Sequence, residues 1–308
     1  MKCDAVFEGG GIRGIGMIGA LNYFEKRGYN WRKVAGTSVG AIIASFIAAG
    51  YTAKEIENIM AETDFLKFLD RERVQKIPVV GKALGVLKEK AIYSGSYFER
   101  WMDEMLSRKG VSKFKHVCKE GKCNLKVVAS DITRKKILIL PDDLYNYGFY
   151  PMEFKISKAV RMSMSIPLYF KPIKLKYKGG TSYIVDGGVC WNYPISIFDI
   201  NGIPEVPTIG FKFKNVITSN TLESKTDTIA YLLDVANTMC AKRNDKCLNQ
   251  EDKSRTVFIP TLGVDVTDFN ISKQKSIRLF KSGYRAAKEF LKGWDFEEYI
   301  KEYRKVSV

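Results

Sequence analysis

Val34-Ala35-Gly36-Thr37-Ser38-Val39-Gly40-Ala41-Ile42-Ile43-Ala44 holds a strand end, a turn and a helix start in one short stretch. Trp31 to Ala35 reads as a strand, and Val39 to Ala49 is apolar enough to form a buried helix. Between them, Gly36-x-Ser38-x-Gly40 has small residues on both sides of the serine, as a sharp strand-to-helix turn requires. Such a turn sets the hydroxyl at a helix N-terminus, where exposed N–H groups and the helix dipole favour a developing anion. The same five residues also read as a glycine-rich turn with an incidental serine.

Strands and helices alternate outward from this point. Lys2 to Glu8 is a short strand, and Ile15 to Arg27 carries helical periodicity that stops at Gly28. Asn124 to Ser130, Lys136 to Leu140, Ser182 to Val185, Pro207 to Phe213 and Thr256 to Ile259 read as further strands. Ser96 with Glu99 matches a capping box before Trp101, Met105 and Leu106. Two later helices are expected, over 227–242 and 272–291, the second with Ile277, Phe280, Tyr284, Ala287 and Leu291 on a core-facing stripe. The alternation predicts an α/β fold with a mostly parallel central sheet and helices on both faces, its functional groups at the carboxyl ends of the strands.

Composition narrows the class. The chain has 308 residues, 45% hydrophobic and 27% charged, which excludes a disordered or fibrous protein. Linkers, repeats and low-complexity runs are absent, so residues 1–308 read as a single domain. The longest near-apolar stretch, Val39 to Tyr51, is too short to span a bilayer, and Met1-Lys2-Cys3-Asp4 does not open a secretory signal. Six cysteines are too sparse for a disulfide scaffold and read as free thiols of a cytoplasmic protein. The net charge of +16 points to nucleic acid, to an anionic membrane or only to solubility, and the basic residues are spread along the chain.

Gly9-Gly10-Gly11-Ile12-Arg13-Gly14 follows a strand and opens a helix, as a dinucleotide loop would. The acidic residue such a loop needs about twenty positions on is missing, its place taken by Gly36-Thr37-Ser38, so the nicotinamide reading fails. A serine nucleophile needs a base, and the lone histidine, His116, lies in a polar basic stretch with nothing to aim it. A buried aspartate can serve instead. Tyr183-Ile184-Val185-Asp186-Gly187-Gly188 ends a strand with a carboxylate and two glycines, and reads equally as a plain Asp-Gly turn. No metal is called for: Cys118, Cys123 and His116 are an incomplete zinc set.

Taken together and in order, Gly9 to Gly14, Gly36 to Gly40 and Asp186 to Gly188 resemble the patatin-like acyl hydrolases. Ala159 to Pro167 and Val189 to Pro194 look like the same family, and the resemblance covers roughly residues 3 to 290. It implies a three-layer α/β fold and a Ser38–Asp186 dyad that works without histidine or cofactor. It also implies an oxyanion hole at Gly10, Gly11, Arg13 and Val39, with Arg13 steadying the glycine loop or meeting substrate phosphate, and Gly9, Gly14, Gly36, Gly40, Gly187 and Gly188 in support.

The expected function is lipid acyl hydrolysis of phospholipase A or lysophospholipase type, on phospholipid or lysophospholipid at an anionic membrane surface. A soluble carboxylesterase of the same fold is the alternative. A nucleic-acid-binding protein is a third reading, without a stacking motif, a binding module or a clustered basic patch to support it. Within 64–95, Phe65-Leu66-Lys67-Phe68-Leu69 and the basic residues after it suit a lid or interfacial element, or equally a core-packed pair with a solvated rim. The oligomeric state stays open.

Overall fold

Cys3 to Phe7 are buried without exception, the pattern of a strand covered on both faces. The computed structural model describes residues 1–69, 91–119, 121–214 and 248–304. Eight strands make its main sheet: Lys2–Phe7 (β1), Asn30–Thr37 (β2), Leu125–Asp131 (β3), Lys136–Leu140 (β4), Ile173–Tyr177 (β5), Gly180–Asp186 (β6), Thr208–Lys214 (β7) and Thr256–Pro260 (β8). The order is β8-β7-β1-β2-β3-β6-β5, with β4 on the other edge of β3. The first five run parallel, while β4 and β6 lie antiparallel to β3 and β5 antiparallel to β6.

The helices labelled here are Gly14–Lys26 (α1), Val39–Ala48 (α2), Ala53–Glu62 (α3), Ser96–Ser107 (α4), Ile156–Ser163 (α5), Gly188–Trp191 (α6), Lys273–Gly293 (α7) and Phe296–Tyr303 (α8), and a short helix at Gln250–Ser254 precedes β8. One continuous core joins Ala5, Phe7 and Val34 of the sheet to α1, α2 and the aromatic group Phe98, Trp101 and Phe46. Val6 and Ala35 point to the opposite face, under Tyr193 and Ile195.

Register decides where the chemistry meets. β2 pairs with β3 from Val34↔Leu125 to Thr37↔Val128, and β6 pairs with β3 from Ile184↔Asp131 to Asp186↔Ala129. β4 holds the other edge of β3 over Val127 to Asp131, so β2 and β6 share one edge, end to end. Their carboxyl ends face each other across the neighbouring partners Val128 and Ala129.

Several expectations change. Gly95, at φ 71°, caps α4, so Ser96 is its first residue and the Ser96–Glu99 box is not made. The box forms instead at Thr52 and Glu55, before α3. Cys118 and Cys123 are joined by a disulfide across a short hairpin, so these two are not free thiols, whereas Cys3 and Cys190 form no disulfide. Phe68 and Leu69 lie in the core, with Phe68 against Phe98 and Trp101, and Phe65 and Leu66 are partly buried beside it. Phe68 and Leu69 therefore follow the core-packed reading of this stretch. Residues 70–90 and the helix expected at 227–242 lie outside the described residues, as do Cys240 and Cys247. Ile277 is 46% exposed, because α7 turns Leu279, Gly283 and Ala287 inward instead. Among the described residues no helix is long and apolar enough to cross a membrane.

Candidate active site

Ser38 sits at φ 53° and ψ −121°, between β2 and α2. A non-glycine residue in that region is strained by roughly 1–3 kcal/mol and persists only where its surroundings hold it. What holds it is Ser163, at the end of α5. Ser38 N–H donates to Ser163 Oγ at 2.8 Å, and Ser163 Oγ–H donates to the Val128 carbonyl at 2.6 Å. The Ser163 carbonyl in turn accepts from Gly187 N–H at 3.3 Å. One side chain and its backbone thus tie the serine turn, β3 and the aspartate loop together. Ser38 is the N-cap of α2, yet its side chain makes no capping bond, which leaves the hydroxyl to the site.

Asp186 ends β6 with its amide bonded to the Ser165 carbonyl at 2.9 Å. Its Oδ1 accepts from Gly188 N–H at 2.7 Å. Oδ2 is buried without a hydrogen bond. Burial raises the carboxyl to about 6, against the lowering effects of the Gly188 amide and the Ser38 side chain. The Ser38 side chain thus favours the charged form of the carboxyl, while burial opposes it. A carboxylate that titrates near 6 is a competent proton acceptor close to neutral pH.

The glycine loop closes the third side. A β-carbon on Gly9 would stand 3.3 Å from Ser38 Cβ and 2.3 Å from Asn192 Oδ1, so a side chain there would fill the site. Gly9 N–H, Ile12 N–H and Arg13 N–H are engaged by the carbonyls of Asn192, Val266 and Gly10. No such partner falls on the N–H groups of Gly10 and Gly11 among the described residues. Val39 opens α2, and Gly14 opens α1 against the Val39 side chain. Gly36 and Gly40 meet across the serine turn, and Gly187 and Gly188 carry the chain from Asp186 into α6. Arg13 Nε donates to the Val264 carbonyl at 2.7 Å, tying the glycine loop to the loop before α7.

Three residues that sequence reasoning passed over support this loop. Glu8 is buried beside Gly9, its carboxylate held by Lys212 and by Phe213 N–H at 2.6 Å. Burial pushes the Glu8 carboxyl up, and the Lys212 ammonium and Phe213 amide pull it back. Asn192 Nδ2 donates to the Gly9 carbonyl at 3.1 Å, so Asn192 grips Gly9 through both its N–H and its C=O. Asn192 lies within a stretch already matched to the family, whereas Glu8 and Lys212 meet only because β1 and β7 are neighbours. On the opposite side the Tyr169 and Phe269 rings stack with centroids 6.0 Å apart, linking the segment after Ser165 to the loop that binds Arg13.

His116 takes no part. It is exposed beyond the amino end of α5, and its Nδ1 accepts from Ser112 N–H at 3.0 Å. Ser163 is at the other end of that helix, about 11 Å along its axis. With Cys118 and Cys123 bonded to each other, the incomplete zinc set dissolves, and among the described residues no group of three His, Cys, Asp or Glu side chains could hold a metal ion. A cavity at the amino ends of the strands, lined by Arg32, Phe198, Asp199 and Arg255 among others, contains none of the site residues.

The patatin-like phospholipase profile matches residues 5–199, across all three motif loops. The chain belongs to the patatin-like phospholipase family. It is 36% identical over 297 residues to YqhO of Bacillus subtilis strain 168, covering 96% of this chain and 100% of that one. A second relative, named a probable lipid hydrolase, 463L of invertebrate iridescent virus 6, is 29% identical over 196 residues, covering 62% of this patatin-like chain and 61% of its own. Among solved structures, VipD from Legionella pneumophila superposes with a TM-score of 0.56 at 18% identity, over 94% of this chain and 66% of that one. ExoU of Pseudomonas aeruginosa, in its heterodimeric complex with SpcU, gives 0.52 at 15% identity, over 97% and 52%. At those identities the likeness is one of fold, and this chain spans between half and two thirds of those longer proteins.

Proposed function

We propose that the protein is a lipid acyl hydrolase of phospholipase A or lysophospholipase type, using Ser38 and Asp186 as a two-residue catalytic unit. The observation that carries this reading is the strained Ser38 turned toward a buried Asp186 carboxyl raised to about 6. In the first half-reaction the Ser38 Oγ–H proton passes to Asp186 as Oγ bonds to the acyl carbonyl carbon. The negative oxygen is met by the N–H groups of Gly10 and Gly11 and by that of Val39 at the start of α2. One such donor contributes about 3–4 kcal/mol to lowering the barrier. Asp186 returns the proton to the departing lysophospholipid or glycerol oxygen. Water then gives a proton to Asp186 and attacks the acyl-enzyme, and the fatty acid leaves as Ser38 regains its hydrogen.

The substrate would be drawn from a lipid surface, which suits the family and the charge of +16. Lipid mass spectrometry on phospholipid mixtures tests the proposal, with Ser38→Ala as control. Free fatty acid released by the wild type alone is the expected result. Hydrolysis of short soluble esters with none on micelles or vesicles would shift the assignment to a soluble carboxylesterase, and release by Ser38→Ala would remove the serine.

A further inference from the structure

We propose that the outer face of α7 is a docking surface for an anionic phospholipid membrane, an inference that rests on the lipid-hydrolase reading above. The inner face of α7 meets α1 closely at Leu279, Gly283 and Ala287. On the outer side Arg278, Lys281, Arg285, Lys288 and Lys292 follow one another at steps of three and four residues, and all five are exposed. That spacing sets them in a single line about 21 Å long. The one acidic residue of the helix, Glu289, pairs with Lys292. The other four cations make no ion pair among the described residues.

Such a line works against the helix that carries it. Like charges three or four residues apart repel, and Lys273 and Lys275 add positive charge to the end where the helix dipole is already positive. An apposed negative surface would relieve both effects.

The place of the line points to lipid. α7 starts at the active-site end, because the loop before it supplies the Val264 carbonyl to Arg13 and the Val266 carbonyl to Ile12. Asp265 in that loop acts on Arg13. At the same end Leu262 is 51% exposed and Ile277 46%, two aliphatic side chains free to enter an acyl boundary beside the cations. Single-stranded nucleic acid would favour exposed aromatic rings for stacking. The aromatic residue nearest the line, Tyr284, is instead packed edge-on against Tyr23.

The test uses full-length Ser38→Ala protein, so that lipid is not consumed, sedimented with vesicles of phosphatidylcholine alone or mixed with phosphatidylglycerol. Binding is expected only with phosphatidylglycerol, and it should weaken as salt rises through about 0.15 M, where the Debye length is about 8 Å. Each basic residue near an anionic leaflet is worth about five-fold in binding, so R278Q/K281Q/R285Q/K288Q should lose about 600-fold. In the Ser38 background the same four substitutions should leave hydrolysis of a soluble short-chain ester unchanged, which also reports folding. If the fourfold variant does not fold, K281Q/K288Q serves, with an expected loss of about 25-fold. Wild-type-like vesicle binding by the folded variant overturns the proposal. So does indifference to phosphatidylglycerol, or tighter binding to duplex DNA than to anionic vesicles at equal salt. Vesicle binding through α7 without any ester hydrolysis would leave the docking surface standing and remove the hydrolase reading.

Discussion

Asp186 has a carboxyl oxygen buried without a hydrogen bond, a state that costs stability. If it is the base, Asp186→Asn keeps the shape and loses the basicity, and ester turnover should fall about 10²–10⁴-fold. His116→Ala should change turnover little. Activity should rise with pH through about 6, as the carboxyl ionises. Steady-state assays of the two variants across pH check this, and an active Asp186→Asn beside an inactive, folded His116→Ala would contradict it. The same group fixes a stability trend. Its folded pKa is raised from 3.8 to about 6, so the folded state holds the proton more tightly than the unfolded chain does. Stability from this group is full below about pH 4 and is lost as pH climbs to about 6, a cost of about 3 kcal/mol that persists above it. Asp186→Asn escapes that cost. Its melting temperature should exceed that of the wild type at pH 8 and converge with it near pH 4; equal offsets at both pH values would refute the burial argument.

The elements were legible where local pattern decides and hidden where contact decides. The Gly36 to Gly40 turn and the runs before and after it were visible because strand, turn and buried helix each carry their own composition. β5 also carried a plain signal, Ile173-Lys-Leu-Lys-Tyr177, and was passed over although its alternation suits an edge strand. Ser96 and Thr52 both begin an S/T-x-x-E pattern, but Gly95 takes the cap at the first site, and only backbone geometry reveals that. Ile277 alone was misplaced on the inward stripe of α7, because Gly283, which no hydropathy pattern counts, is the helix's closest contact: a β-carbon there would stand 1.7 Å from the Gly16 carbonyl oxygen of α1. Ser163, Glu8 and Asn192 were missed for a related reason, since their partners lie 125, 205 and 183 residues away. The helix crossing yields a prediction. Gly283→Val must push α7 off α1, with a loss of about 1–3 kcal/mol or more from overpacking. Because α1 opens directly behind the glycine loop, kcat on a soluble ester should fall along with the urea midpoint. An unchanged midpoint would mean that the two helices can separate freely.

Across the whole molecule, strain and stability sit at opposite ends of the sheet. The carboxyl ends carry the twisted Ser38 and the half-compensated Asp186. The amino ends carry a paired network: Arg255, almost wholly buried, grips Asp199 at 2.6 and 2.7 Å and Asp252 at 2.6 Å, while Arg304 reaches Glu251 at 2.7 Å and so anchors the end of α8. Removing one partner of a buried ion pair strands the others, at about 3–5 kcal/mol. Arg255→Ala should therefore lower the urea midpoint strongly while its folded fraction keeps the wild-type kcat; a loss of kcat without a loss of stability would place the network in the catalytic machinery. The central claim, that Ser38 is the residue acylated during lipid hydrolysis, has a more direct test in a fluorophosphonate probe followed by peptide mass spectrometry. The account predicts one adduct, on Ser38, absent from Ser38→Ala and formed far more slowly in Asp186→Asn. An adduct on another serine, or labelling that persists in Ser38→Ala, would contradict it.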